Sequence, residues 1–261
     1  MKIGLYCRDF FSANGLTKAT ALTARVLREE GHEVSVLTER ARSGAAVRGI
    51  KIRKVGPPEG ASGRRLAVAT ADYDLFLNQL PGAFFPSFAR RSWLWVHAVP
   101  LIRPRHLEFY RVLGNSRYTQ ERLRSRWHAP VELLPPPVEV DDFAPRAKRR
   151  LILSVGTLGG RLRPKNELLL IRLFKNLHNR GKLPGWRYHL AGTLEGGTAW
   201  FAKLKSEAAG APVSFDVDAS PARLRLLYGR AALLWHACRA EPGRADRPHG
   251  LVPRRRRGGQ G

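Results

Sequence analysis

Apolar residues along this chain come in two rhythms, short unbroken runs and runs at helical spacing, and the two alternate. KIGLYC (2–7) is a short apolar run of the kind a buried strand makes. The loop SANG (12–15) follows, and then Leu16, Ala19, Thr23, Val26 and Leu27 recur at helical spacing as far as Glu30. Gly31 stands where a helix C-cap is expected, and Val34 to Leu37 is a second strand, which closes a first βαβ unit. Further strands are predicted at IKIRKV (50–55), YDLFLNQ (73–79), SWLWVHA (92–98) and YRVLGNS (110–116), with a helix after Ser116 carrying Tyr118, Leu123 and Trp127. VELLPPPVEVDDFAP (131–145) is predicted to break regular structure, because Pro135, Pro136 and Pro137 fit neither a helix nor a central strand.

The alternation resumes at LILSVG (151–156). A loop follows, and then a helix with Leu170, Leu173, Phe174 and Leu177 expected on its buried face. RYHLAG (187–192), VSFDVD (213–218) and ALLWHA (232–237) read as strands, and Ser220-Pro221 reads as the N-cap and first residue of a helix. Alternating strands and helices define an α/β class with parallel sheets. The expected organisation is one Rossmann-like domain over residues 1–145 and a second, incomplete one over 149–238. After Ala237 the periodicity stops, and 239–261, rich in Arg, Pro and Gly, is expected to be a disordered tail.

Composition narrows the picture. No stretch approaches the roughly 20 apolar residues of a spanning helix. The opening residues carry Lys2, Arg8 and Asp9 and do not resemble a secretory leader, so the expected compartment is cytoplasmic. Two cysteines, Cys7 and Cys238, form neither a zinc motif nor a disulfide framework. The formal net charge is +25, and seven arginines against two acids in residues 239–261 account for five of it. Nucleic acid, an anionic membrane surface and phosphorylated substrates all fit such a charge, as does the arginine-rich coding of a GC-rich genome. No recognition helix, zinc motif or aromatic-studded sheet motif accompanies it, so no specific nucleic acid is expected.

The loop after the strand LILSVG is the densest candidate site. It contains Thr157, Gly159, Gly160, Arg161, Arg163, Lys165 and Asn166 between a strand and a helix. Open backbone amides, a helix N-terminus and cations together suit a pyrophosphate; the alternative is a solvated basic loop. Asn14 and Gly15 follow the first strand, where α/β sheets take ligands, or else form an ordinary tight loop. His97 ends SWLWVHA, either as a ligand-facing group or as a structural histidine, and Ser116 is placed to cap the next helix.

These segments, in this order, resemble the family 4 glycosyltransferases of the GT-B fold. The resemblance is carried by SANGLTKATALTARVLREEGHEVSVLTE, YDLFLNQ, WLWVHAVP, LGNSRYTQERL, LLPPPVEVDDF, ILSVGTLGGRLRPKNELLLIRLFKNL, YHLAG and RLRLLYGRAALLWHA. It implies transfer of a sugar from a nucleotide-diphosphate-sugar to a glycan or lipid-linked acceptor, with retention, with no catalytic metal and with no further cofactor. It implies a phosphate grip by Lys165, with Thr157 standing where the family has an arginine and Arg161 or Arg163 as substitutes. It places His97 near the reacting sugar, Asn14 and Gly15 near donor phosphate and acceptor, and Glu195 on the nucleotide side. It also implies a Glu-x7-Glu segment that nothing after Ala237 matches. The expectation is therefore a truncated or frameshifted donor domain, and a nucleotide-binding remnant without turnover is the alternative to an active transferase. Peripheral contact with an anionic membrane would suit the charge.

Overall fold

The computed structural model describes residues 1–10, 15–41, 49–80, 84–100, 103–140, 143–158, 165–194 and 197–237. The chain divides into two units, Met1–Val140 and Asp141–Gly261.

The first unit runs β1 (Lys2–Tyr6), β2 (Asp9–Phe10), α1 (Gly15–Glu29), β3 (Glu33–Thr38), β4 (Arg40–Ala41), β5 (Lys51–Lys54), α2 (Gly60–Thr70), β6 (Leu75–Asn78) and β7 (Arg91–Val96). A 3-10 turn (Leu107–Phe109), β8 (Arg111–Gly114), α3 (Arg117–Trp127) and β9 (Val131–Leu133) complete it. Seven strands form one parallel sheet in the order β5-β3-β1-β6-β7-β8-β9, and β2 pairs with β4 separately. Both faces of a parallel sheet are covered, which is why β1, β3 and β6 read as unbroken apolar runs. Tyr6, Phe76, Leu94, Val96 and Trp127 pack on one face. Ile3, Leu5, Leu77, Trp95 and Leu113 pack on the other, with Ala24 of α1.

The predicted strands and the Ser116 helix all form, and the Ser116 side chain accepts from the Thr119 amide as a cap. One expectation is corrected and two features are added. The face of α1 turned to the sheet is Ala19, Thr20 and Ala24, small residues that let the helix approach closely, while Val26 is exposed. Val131–Leu133 is a short strand on the edge of the sheet, so the break begins at the prolines and not before them. The helix α2 was not expected, because its glycines mask the periodicity. One of them is required: a Cβ on Gly63 would lie 2.2 Å from the Pro58 carbonyl oxygen.

The second unit runs β10 (Arg149–Thr157), α4 (Glu167–Asn179), β11 (Arg187–Thr193), α5 (Thr198–Ala208), β12 (Val213–Val217), α6 (Pro221–Arg230) and β13 (Ala231–Leu234). Its parallel sheet has the order β12-β11-β10-β13. Ser220 caps α6 and Pro221 opens it, as expected. On α4 the buried residues are Glu167, Leu170, Ile171 and Phe174, and the expected Leu173 is exposed. The last strand stops at Leu234, which leaves Trp235, His236 and Ala237 beyond the sheet's carboxyl edge.

Candidate functional site

In an open parallel sheet the ligand crevice lies at the carboxyl ends of the strands, where strand order reverses. In the second unit β11 and β12 continue from β10 on one side and β13 returns on the other, so the reversal lies between β10 and β13. Lys165 and His236 meet there. Lys165 Nζ is 3.2 Å from His236 Nε2. An ammonium can only donate, so the Nε2 of a neutral His236 accepts from it. The Lys165 stem lies against Gly156, where an added Cβ would be 3.2 Å from Lys165 Cγ. Asn166 has a left-handed backbone (φ 52°), and its Nδ2 donates to the Ala237 carbonyl at 2.6 Å. Ser154 Oγ donates to the Trp235 carbonyl and meets the Tyr188 hydroxyl at 2.8 Å. A recess lined by Gly156, Lys165, Glu167, Trp235 and His236 results, at the amino end of α4.

Glu167 was not foreseen. It is buried at the first position of α4, and its Oε2 has no hydrogen-bond partner among the described residues. Burial pushes its carboxyl above the usual carboxylate range, against the pull of its own amide and of Lys165. Its sequence signal, an acid at the start of an apolar helix, is that of an ordinary exposed first-turn residue.

In the first unit the order reverses between β1 and β6. The residues just beyond the carboxyl ends of β1, β6, β7 and β8 on the α1 face are Cys7, Gln79, His97 and Asn115, by continuation of the strand registers. Asn115 Nδ2 donates to the His97 carbonyl at 3.1 Å, and Asn115 Oδ1 has no partner among the described residues. His97 packs its ring 4.5 Å from that of Trp95. Thr20 Oγ1 lies 2.8 Å from the Leu16 carbonyl and 3.2 Å from Gln79 Oε1. Thr20 meets only one terminal atom of the buried Gln79 amide, so in either orientation of that amide the other lacks a partner among the described residues. Gly15 opens α1, and among the described residues nothing lies within 4 Å of the position a Cβ would take. Cys7 is buried with its thiol donating to the Asp9 carbonyl, and burial raises its pKa.

A separate polar cluster ties α6 to the sheet. His189 Nδ1 is 2.7 Å from Ser214 Oγ, and its Nε2 is 3.0 Å from Asp216 Oδ2 but out of hydrogen-bond alignment. Arg223 of α6 donates to the same Asp216 oxygen at 2.6 Å. Burial lowers the His189 pKa, opposed by Asp216. Burial would raise Asp216, but the hydrogen bond from Arg223 and the electrostatic pull of His189 and Arg223 outweigh it and hold that carboxyl low.

Of the residues singled out in the sequence, Lys165, Thr157, Asn166, His97 and Gly15 are described. Lys165 and Asn166 meet at the β10–β13 reversal, with Thr157 at the end of β10. Asn14, Gly159, Gly160, Arg161, Arg163, Glu195, Cys238 and the 239–261 tail lie outside the described residues. Among the described residues, no helix is long and apolar enough to cross a membrane.

No protein-family model matches the chain, and no curated protein matches it in sequence. Solved structures do match in fold. A glycosyltransferase from Rickettsia africae ESF-5 aligns with a TM-score of 0.69 at 13% identity, over 91% of this chain and 73% of its own. WaaG, a glycosyltransferase involved in lipopolysaccharide biosynthesis, aligns at 0.64 and 13% identity, over 90% and 75%. TarM aligns at 0.66 and 8% identity, over 90% and 80%. At such identities the likeness establishes the fold: an α/β chain with two parallel sheets, built as these GT-B glycosyltransferases are.

Proposed function

We propose that this chain binds a nucleotide-diphosphate-sugar and transfers its sugar to a hydroxyl of a glycan or lipid-linked acceptor, in the manner of family 4 glycosyltransferases. The observation that carries the reading is the meeting of Lys165, His236 and the amino end of α4 at the strand-order reversal of the second unit. A departing nucleoside diphosphate needs positive charge and open backbone amides, and this is where the unit supplies both. Lys165 holds the diphosphate, Asn166 fixes the loop that presents it, and Gly156 leaves room for the lysine stem. Gly159, Gly160, Arg161, Arg163 and Glu195 belong to the same donor site by sequence. In the first unit, Gln79 and Asn115 offer buried hydrogen-bonding groups to acceptor hydroxyls, with His97 beside Asn115 and Gly15 at the start of α1; Asn14 joins them by sequence. Transfer proceeds with retention and without a catalytic metal, and the basic protein works against an anionic membrane from the cytoplasmic side.

Calorimetry with UDP, GDP and ADP, followed by a panel of their sugar conjugates, tests the reading. Diphosphate binding lost in Lys165→Ala supports it; no binding of any of the three overturns it. Binding with neither transfer nor donor hydrolysis would make the chain a nucleotide-binding remnant.

A further inference from the structure

At the amino edge of the first unit's sheet, opposite the edge that carries Gln79, His97 and Asn115, two phenylalanines stand in solvent. Phe88 is 52% exposed and Phe109 is 38% exposed, and their rings meet edge to face, 5.9 Å apart at 89°. The backbone holds both in place. The Phe88 amide donates to Thr70 Oγ1 at 2.7 Å, which ties its loop to the end of α2. Phe109 closes the 3-10 turn that leads into β8. Exposed arginines flank the pair in sequence: Arg90 and Arg91 after Phe88, Arg103 and Arg105 before Phe109. Among the described residues the acids at this edge are few or matched by bases: Asp72 is paired with Arg53. Asp74 is engaged by Arg90 and by the Lys2 amide, Glu132 is paired with Arg111, and Glu108 lies within the turn.

We propose that this aromatic and arginine surface docks the protein on an anionic lipid bilayer, the phenylalanines entering the headgroup boundary and the arginines meeting lipid phosphates. It deepens the membrane contact in the function proposed above by naming the surface that makes it. Charge complementarity selects the occupant. A second copy docked face to face would oppose two identical arginine clusters, and the chain's own 239–261 tail, with seven arginines, carries the same sign. Single-stranded nucleic acid seeks open aromatic faces to stack on, whereas these rings spend an edge and a face on each other. A bilayer needs only apolar tips beside cations. Each arginine brought to an anionic leaflet is worth about fivefold in partitioning, and each buried phenylalanine roughly tenfold. Docked at this edge, the sheet's opposite edge stays open to solvent.

Co-sedimentation with vesicles of phosphatidylglycerol and phosphatidylcholine, against phosphatidylcholine alone, tests the surface at 150 mM salt. The wild type is expected to bind the anionic vesicles. Phe88→Ser with Phe109→Ser leaves the charge unchanged and is expected to lower binding at least tenfold, while Val26→Ser on α1 leaves it intact. Arg103→Gln with Arg105→Gln is expected to lower binding by a similar factor, and circular dichroism reports that each variant is folded. If the phenylalanine variant binds as the wild type does, binding is a bulk-charge effect and the surface is wrong, although membrane contact stands. If the wild type ignores anionic vesicles, or an oligonucleotide binds more tightly and is lost in the phenylalanine variant, the proposal is overturned. Nucleotide binding at Lys165 is scored separately and is unaffected by either result.

Discussion

Lys165 Nζ and His236 Nε2 lie 3.2 Å apart, although 71 residues separate them in the chain. One closes the loop after β10 and the other follows β13, and the two strands are neighbours in the sheet. The contact thus follows from strand order: it forms where the second unit's topology reverses, which is where such sheets take ligands.

The first expectation concerns that lysine. If Lys165 holds the diphosphate as proposed, Lys165→Ala removes a charge-assisted hydrogen bond worth about 1.5–3 kcal/mol. The dissociation constant for a nucleoside diphosphate should rise by roughly 10- to 100-fold. His236→Ala should have the smaller effect, since its ring orients the ammonium and carries no fixed charge. Calorimetry at low and moderate salt measures both.

Glu167→Gln should stabilise the second unit at neutral pH. Burial raises the Glu167 pKa in the folded state, so the folded protein holds the proton more tightly than the unfolded chain does. Keeping the carboxylate ionised at pH 7 therefore opposes folding, and the penalty fades as pH falls through the raised folded value toward the ordinary 4.5, below which it is gone. Denaturant melts should show a gain of about 1 kcal/mol for the variant at pH 7, shrinking at pH 4. An equal gain at both pH values would contradict the assignment.

His189 gives the opposite edge of the pH range. Its pKa is lowered by burial, so the folded state binds the proton less readily than the unfolded chain. Stability is complete above the unfolded value of 6.5 and declines as pH falls through it toward the lower folded value. His189→Gln should flatten that slope. Melting temperatures between pH 5 and pH 8 report it.

Gly192→Ala tests the packing between β10 and β11, beneath the recess at Lys165. Gly156 and Gly192 face each other across β10 and β11, and a Cβ on Gly192 would lie 1.6 Å from the Gly156 carbonyl oxygen. The strands must part, at a cost of about 3 kcal/mol or more. Loss of the second unit's melting transition, or of soluble expression, is the expected result, and a wild-type melt would refute the geometry.

The fold was legible where burial leaves an unbroken signature. The parallel strands announced themselves as apolar runs, and Ser220-Pro221 marked α6 because capping chemistry is local. Elements whose buried faces are small residues were harder to read. The helix α2 rests on Gly63, Leu66, Ala67 and Thr70, and the face of α1 on alanines and a threonine, where hydrophobicity is a poor guide to contact. In the second unit, the placement of Lys165 and Asn166 ahead of α4 followed from strand, loop and helix order. The burial of Glu167 and the contacts of Ser154 there, and separately the burial of Gln79 in the first unit, did not, because they depend on residues far along the chain.

The short bonds from Ser154 and Asn166 to the carbonyls of Trp235 and Ala237, with Lys165 on His236 between them, fasten three consecutive residues beyond the last strand. A ligand that draws Lys165 away from His236 releases the middle rivet of that seam. Occupancy of the recess and retention of the departing chain are then thermodynamically linked, and filling one would be sensed by a protease as a change in the other.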